Sequence, residues 1–548
     1  MGSYGSREST LPVADRAQLR EVLVCGAVAA LASCLVVLVV PRGGDLAAHL
    51  YRTTLVREGV FVWDNLWFSG QYPLADYSLL YYPLAALVGN AALGIAGVVA
   101  SAAIFASIAQ GEWRAPGRWP ARAFAVLLAG QAFTAAYPYD LGLAMLLATL
   151  WALQRGRMRL AATAAILTLG FSPLAFLFLG LALLALLMRR RRLDRRVFVV
   201  AAAVALAAGL QLALLVLLPS PGLFYPYGTW RLLVGLAVAG LGVALALRGP
   251  AGRTLASIFG VWAVASVVCD LVPSPVGHNL ARASVFAFPL VLVAAALAQF
   301  RPRWLAAAAL TAALASNVLP YSVMISSRSA GSAASFWRPI IAFLQTHDTA
   351  QAFRVEVVPT ADHWEAYYLP GAGIALARGW YRQLDIADNQ TLYAPHLTPA
   401  LYRGWLRLQA VRYVVLPRLP LEAIDAEREA RLLQRGGSGL RRVWTGRQAT
   451  IYALSDPTPL LTGAGRGRVT ALTSSRIEGR LTRAGTYLLR VHYSPYWSVE
   501  RGELCLRPTS SGMTRLVALR PGAFTIRAIE SPTGVLAALL DGDSHSCP

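Results

Sequence analysis

The chain has 548 residues, of which 56% are hydrophobic and only 14% charged, with a mean hydropathy of +0.51. An ordinary soluble enzyme carries charge at roughly 25% of positions, and a disordered chain could not leave this much apolar surface in water, so both descriptions are excluded for the whole chain. All 50 basic residues are arginine, against 28 acids, for a net charge of +22; the arginines fall in spaced clusters between apolar runs, which argues against a nucleic-acid partner.

A polar start, Met1 to Arg20, lacks the small-residue cleavage site of a secretory signal, so the apolar run Val22 to Val40 reads as a retained anchor. Further apolar runs lie at about 77–108, 121–136, 140–154, 160–172, 174–188, 197–218, 230–247, 254–272, 284–300 and 304–323. Together they predict about eleven transmembrane helices, several of them shorter than the ~20 residues a bilayer needs. The pair flanking Phe171-Ser172-Pro173 reads as a helical hairpin that does not fully cross. The Arg clusters are Arg7/Arg16/Arg20, Arg114/Arg118/Arg122, Arg155/Arg157/Arg159, Arg189 to Arg192 with Arg195/Arg196, Arg248/Arg253 and Arg301/Arg303. They occupy every second loop, so the positive-inside rule makes those loops and the N-terminus cytoplasmic. An odd span count then puts the tail outside the cytoplasmic membrane.

This reading gives a polytopic α-helical membrane domain over 1–324, with a first outer loop at 42–76, then an extracytoplasmic α/β segment over 325–447 and a β-sandwich over 448–548. Helical patterns in the tail lie at Ala334 to Leu344 and Tyr402 to Leu408. Alternating patterns predict strands at Phe353 to Val358, Arg412 to Leu416, Ala449 to Leu454, Gly467 to Leu472, Gly485 to Tyr493, Leu504 to Arg507, Arg515 to Leu519 and Phe524 to Ala528. Cys25, Cys34 and Cys269 sit in or beside spans as small apolar filler. Cys505 and Cys547 share the outside tail, where a disulfide between them is the expected state.

The chemistry-bearing residues gather in the outer loops. Between the first two spans the chain reads Gly44-Asp45-Leu46-Ala47-Ala48-His49-Leu50-Tyr51-Arg52, a short helix along the membrane surface ending at Gly59. Asp45 and His49 are four apart and share a face, with Arg52 beside them. Asp45 also fits as a plain N-cap. Trp63, Trp67, Tyr72, Tyr77, Tyr81 and Tyr82 read first as an interfacial aromatic belt. Other outer turns carry Asp76, Tyr137-Pro138-Tyr139-Asp140, and Asp270 with His278 and Arg282. Mouth-level ionisable groups are candidates for function, although Arg282 can equally be a snorkelling helix-start residue. In the tail, Asp362-His363-Trp364-Glu365 reads as surface structure or an acceptor contact, and Asp541-Gly542-Asp543 only faintly as a calcium loop. A Walker A motif, a dinucleotide fingerprint, a nucleophile elbow and HExxH do not occur.

An Asp a few residues past the first span, opening a long outer loop with a surface helix, resembles the GT-C superfamily of membrane glycosyltransferases. More narrowly, Gly44-Asp45-Leu46, His49-Leu50-Tyr51-Arg52, Trp67 with Gly70-Gln71-Tyr72-Pro73, and Tyr81-Tyr82-Pro83 resemble the YfhO-like and 6-pyruvoyl-tetrahydropterin-synthase-related bacterial membrane proteins. Val411-Arg412-Tyr413-Val414-Val415 and Tyr493-Ser494-Pro495-Tyr496-Trp497 resemble the YfhO-like tail. The resemblance implies transfer of a sugar from a polyprenyl-phosphate donor to a glycan, lipid or protein acceptor of the cell envelope. It implies Asp45 as base or metal ligand, with His49 as its catalytic neighbour. Arg52, Asp76, Tyr81, Asp140, Asp270, His278 and Arg282 are then substrate-binding candidates. A divalent cation (Mg, Mn or Ca) at Asp45 is compatible with it. A flippase of a lipid-linked envelope precursor and a non-catalytic envelope scaffold are the competing readings. Charged mid-membrane sites in two matching halves would mark the flippase.

Overall fold

The computed structural model describes residues 13–39, 43–73, 77–188, 195–218, 225–250, 252–326, 330–347, 352–436 and 438–540. The chain divides into two compact units. One comprises Met1–Val40, Ala91–Leu210 and Pro226–Val323; the other comprises Pro41–Asn90, Gln211–Tyr225 and Met324–Pro548.

The first unit is a helical bundle. Among the described residues, six helices are long and apolar enough to cross a bilayer: Arg16–Leu38, Asn90–Trp113, Phe198–Leu217, Thr229–Ala246, Arg253–Leu271 and Gly277–Leu297. The chain is therefore a helical, multi-pass membrane protein with a β-rich C-terminal region. Met158–Phe171 and Pro173–Leu187 are short apolar helices of 14 and 15 residues. They are divided at Ser172, whose extended backbone lets its hydroxyl accept from Ala175 N at 3.2 Å. At 1.5 Å per residue neither reaches the ~30 Å of a hydrocarbon core. The expected single run at 77–108 is two helices, Tyr81–Val88 and Asn90–Trp113. Gly89 divides them with φ +96°, which side chains rarely adopt.

Three Arg clusters share one end of this bundle. Glu21, on the first helix, pairs with Arg118 and Arg122 at 2.8 Å each. Gln18 reaches Ser107, whose hydroxyl also accepts from the Trp151 indole at 2.9 Å. Arg155 and Arg157 lie over that indole ring. At the other end of the same helices, Gly94 lies against Tyr137 and Gly97 against the Asp140 backbone, approaches only a residue without Cβ permits.

The second unit combines three segments. The α/β part holds one mixed sheet of β1 (Arg354–Val357), β2 (Val411–Pro417), β3 (Leu440–Thr445) and β4 (Ala449–Leu454), in the order β1-β2-β4-β3. β1 and β2 are parallel and joined by a helical crossover; the remaining pairs are antiparallel. Because β4 pairs with β2 and β3, the expected boundary at 448 shifts and the sandwich begins at Leu461. Alternation along Ala449–Leu454 reveals a strand but not the sheet it joins. The sandwich follows with β5 (Leu461–Gly463), β6 (Gly467–Leu472), β7 (Arg476–Leu481), β8 (Gly485–His492), β9 (Trp497–Arg501), β10 (Leu504–Pro508), β11 (Met513–Ala518) and β12 (Gly522–Ala528). Its two antiparallel sheets run β10-β11-β8-β5 and β6-β7-β12-β9. Cys505 is disulfide-bonded, while Cys25, Cys34 and Cys269 are free. Its expected partner, Cys547, lies outside the described residues, as do Asp541, Asp543, Arg7 and Arg189 to Arg192.

The long loop after the first helix does not stand apart. It is sewn into the tail, and its extent is Pro41–Asn90 rather than the expected 42–76. The Glu530 carboxylate accepts from Phe61 N and Val62 N at 2.6 Å. Asn65 N donates to Ser474 O at 2.7 Å, and the Trp67 indole to Ala366 O at 3.0 Å. His492 N donates to Ser69 O at 2.8 Å, inside a turn where Phe68, Ser69 and Gly70 all take positive φ. The expected aromatic belt is thereby corrected. Trp63, Trp67, Tyr72, Tyr81 and Tyr82 are buried, and Trp63 packs edge-on against Tyr72 and Trp497. The tail covers Trp63, Trp67 and Tyr72, while Tyr81 and Tyr82 pack beside His49 of the loop itself.

Candidate functional site

The helix Leu46–Arg57 positions the candidate residues, and its ends are well defined. Asp45 holds the N-cap position, yet its side chain makes no cap hydrogen bond. The expected capping role is thus not the use its carboxylate serves. At the other end Glu58 is the C-cap and Gly59 follows with φ +76°. Gly59 N donates to Val56 O at 3.1 Å and Val60 N to Leu55 O at 2.9 Å, the two bonds of a Schellman motif.

Asp45, His49 and Arg52 lie within about two turns, and their burial differs. Asp45 is half-buried, whereas His49 and Arg52 are 1% and 2% exposed. His49 Nδ1 lies 3.1 Å from the Tyr82 hydroxyl, and its ring is surrounded by Tyr77, Tyr81 and Tyr82 at 5.6 to 5.9 Å. The Arg52 guanidinium lies over four rings: Tyr381 at 5.3 Å, Tyr77 at 5.4 Å, Tyr82 at 5.9 Å and Trp67 at 6.0 Å. Burial works against its charge, but hydrogen bonding to Tyr82 and the nearby Tyr381 and Tyr77 outweigh that and hold its pKa above the usual guanidinium value. Burial raises the Tyr82 hydroxyl pKa; Arg52 opposes the shift, and the Asp45 charge adds to it. Asp45 and Arg52 therefore act on the same hydroxyl in opposite directions.

Behind them, Asp64 accepts from the Tyr51 hydroxyl at 2.9 Å and from Leu66 N at 3.1 Å. Its complete burial raises the carboxyl pKa to about 7, against the pull of those bonds and of Arg52. Tyr81, expected at substrate, is buried and gives its hydroxyl to Asn90 Oδ1 at 2.7 Å. It shapes the site from inside. Asp76 lies outside the described residues.

The loops at the C-terminal edge of β1 and β2 adjoin the start of the Asp45 helix. A methyl group built on Gly44 would lie 3.8 Å from Ala361 O. Two residues on, His363 takes φ +52°, in the left-handed region that few residues other than glycine adopt. The expected surface position of Asp362 to Glu365 is corrected for three residues: His363, Trp364 and Glu365 are all buried. His363 Nδ1 faces Glu365 at 3.3 Å and Nε2 faces Glu422 at 3.4 Å. Burial opposes the imidazolium, but Glu422 and Glu365 raise its pKa to about 9. Glu422 also pairs with Arg382 at 2.7 Å. Trp380, Tyr381, Arg382 and Glu422 escape sequence reading because their role depends on the crossover between two parallel strands. The crevice beyond the carboxyl ends of such strands is the usual ligand position in open α/β sheets.

The remaining candidates belong to the bundle. Asp140 is fully buried in the first turn of Tyr137–Gln154, and the Arg282 guanidinium lies 5.8 Å from the Tyr139 ring. His278 is half-buried and Asp270 is exposed near the end of Arg253–Leu271. Among the described residues no group of three His, Cys, Asp or Glu side chains gathers to form an all-protein metal cage. No protein-family profile matches the chain, and a search of curated proteins finds no match.

Proposed function

We propose that the protein is a GT-C-type glycosyltransferase of the cytoplasmic membrane. It moves a sugar from a polyprenyl phosphate to a hydroxyl of a glycan, lipid or protein acceptor on the outer face. The supporting observation is the convergence of Asp45, His49 and Arg52, with Asp45 alone half-exposed and its carboxylate uncommitted to the helix cap.

In the reaction the acceptor oxygen forms a bond to the anomeric carbon as the bond to phosphate breaks. The acceptor proton passes to Asp45, and the electron pair leaves with the phosphate. A hydroxyl is a weak nucleophile, so an adjacent carboxylate base assists it. His49 and Tyr82 hold the base side in place. Arg52 is a fixed positive charge in a low-dielectric setting, where its field reaches further than in water. This differs from the expected direct contact with phosphate, since Arg52 is enclosed by rings. We further propose the sidedness read from the Arg clusters, with an odd number of membrane passes, a cytoplasmic N-terminus and the tail outside.

Purified protein incubated with a panel of polyprenyl-phosphate sugars and envelope acceptors tests the reading. Transfer by the wild type, abolished in Asp45→Asn, is expected. Full turnover by Asp45→Asn would remove Asp45 from the chemistry, and no transfer with any donor would overturn the reading.

A further inference from the structure

Three consecutive residues of the crossover, Trp380, Tyr381 and Arg382, are each half-buried and each held differently. The Trp380 indole stacks on the His363 imidazole with ring centroids 3.5 Å apart and planes 10° from parallel. Tyr381 meets Tyr77 edge-on at 5.8 Å and supplies one ring of the Arg52 cage. Arg382 is fixed by Glu422 at 2.7 Å, and that carboxylate also holds His363. His363 in turn follows the Ala361 carbonyl that abuts Gly44, next to Asp45. The strip is thus tied to the Asp45 helix at both its Trp380 and Tyr381 ends.

This construction is costly. A left-handed backbone at His363 and a buried imidazole between two carboxylates hold the ring on which the Trp380 indole stacks. A flat indole beside a phenol, with the Arg382 guanidinium and the Glu422 carboxylate next to them, suits a molecule with an apolar C–H face and a polar hydroxyl edge. A sugar ring has both. An acyl chain would leave those charged groups unmatched, and an extended peptide would seek an open sheet edge.

We infer that Trp380, Tyr381 and Arg382 form a saccharide subsite in which a sugar ring stacks on Trp380, with His363 as the positioning residue that holds the indole. The acceptor of this centre is then a glycan rather than a lipid or protein. The inference rests on the transferase reading for the subsite's role, but not for the binding itself.

The test is calorimetric titration of the full chain in lipid nanodiscs free of glycoside detergent. The probes are maltotetraose, mannotetraose and arabinotetraose, with dodecyl phosphate and an unstructured peptide as competitors. Saturable binding of at least one tetrasaccharide is expected. Trp380→Ala should weaken it about tenfold or more and Trp380→Phe about threefold, with His363→Gln between them and Arg501→Ala without effect. Thermal melting of each variant separates a lost subsite from a lost fold. If Trp380→Ala does not fold, Trp380→Phe and His363→Gln carry the test alone. Binding of no tetrasaccharide, binding indifferent to these variants, or a site that takes only the peptide or the alkyl phosphate overturns the inference. A wild type that binds saccharide through Trp380 but transfers no sugar would sink the transferase reading and leave the subsite standing. Transfer with an acceptor KM unchanged in Trp380→Phe and His363→Gln would do the reverse.

Discussion

At the scale of single residues, Asp45 and Asp64 show how position decides the use of a carboxylate. Asp45 sits at a helix start without capping it, so its replacement should not carry the cost of a lost cap. Asp45→Asn and Asp45→Ala are both expected to lose turnover while melting within a few degrees of wild type, read by a donor-transfer assay and a thermal scan. A drop of the kind seen when a working cap is removed, about 1 kcal/mol, would mean that the side chain does cap in solution. Asp64 behaves differently. Its folded pKa of about 7 exceeds the ordinary 3.8, so the native state holds a proton that the unfolded chain releases. Stability from this group is fully present below pH ~4 and is lost as pH rises through 7. Asp64→Asn keeps an acceptor for Tyr51 and Leu66 and removes the titration. The variant should therefore melt above wild type at pH 8 and close to it at pH 4, in melting curves taken across that range. His363 has its own window: its stabilisation is present below pH ~6.5 and lost as pH rises through about 9, where Glu365, Glu422 and Arg382 no longer face an imidazolium.

At the scale of elements, the link between the long loop and the sandwich is the most exposed to test. Glu530 accepts from two backbone N–H groups at 2.6 Å, Phe61 and Val62. Glu530→Ala should destabilise the second unit by about 2 to 4 kcal/mol through two lost charge-assisted bonds. Protease sensitivity should appear first between residues 58 and 66, which limited proteolysis with mass mapping would locate. Gly70 is a second such point. It has φ +112°, and an added methyl would lie 2.3 Å from the Trp63 ring, so Gly70→Ala should be worse than Glu530→Ala in the same assay. Much of this layer was legible in the sequence. The strands at Ala449–Leu454 and Gly467–Leu472 match their alternation residue for residue, and the helix at Ala334–His347 matches its apolar stripe. Ala423–Gln434 was missed because charge dominates its sequence, and Trp497–Arg501 because a Pro-Tyr-Trp turn precedes it. The aromatic residues of the long loop were misassigned for a general reason. Burial against lipid headgroups and burial against a distant part of the same chain leave the same composition.

At the scale of the whole molecule, the site was half legible. Asp45, His49 and Arg52 are neighbours on one helix, and helical spacing alone finds them. Tyr381 and the His363 network come from hundreds of residues away, beyond the reach of any local pattern. Sidedness remains the global expectation to be measured. Single cysteines placed at residue 400 and in the Arg189 to Arg196 loop of a cysteine-free background should label from opposite faces of sealed vesicles. Labelling of both from one face would refute the Arg-cluster reading.

The bond between Val62 N and Glu530 spans 468 residues of chain. At ordinary synthesis rates the two ends of that bond leave the ribosome roughly half a minute to a minute and a half apart. During that interval Trp63, Trp67 and Tyr72 lack the tail that buries them, and the Asp45 helix lacks its floor. The long loop is made early but matures late. A nascent chain therefore cannot complete the packing of this loop until its distal strands have joined it, and on the transferase reading a truncation upstream of Glu530 is expected to lose transfer.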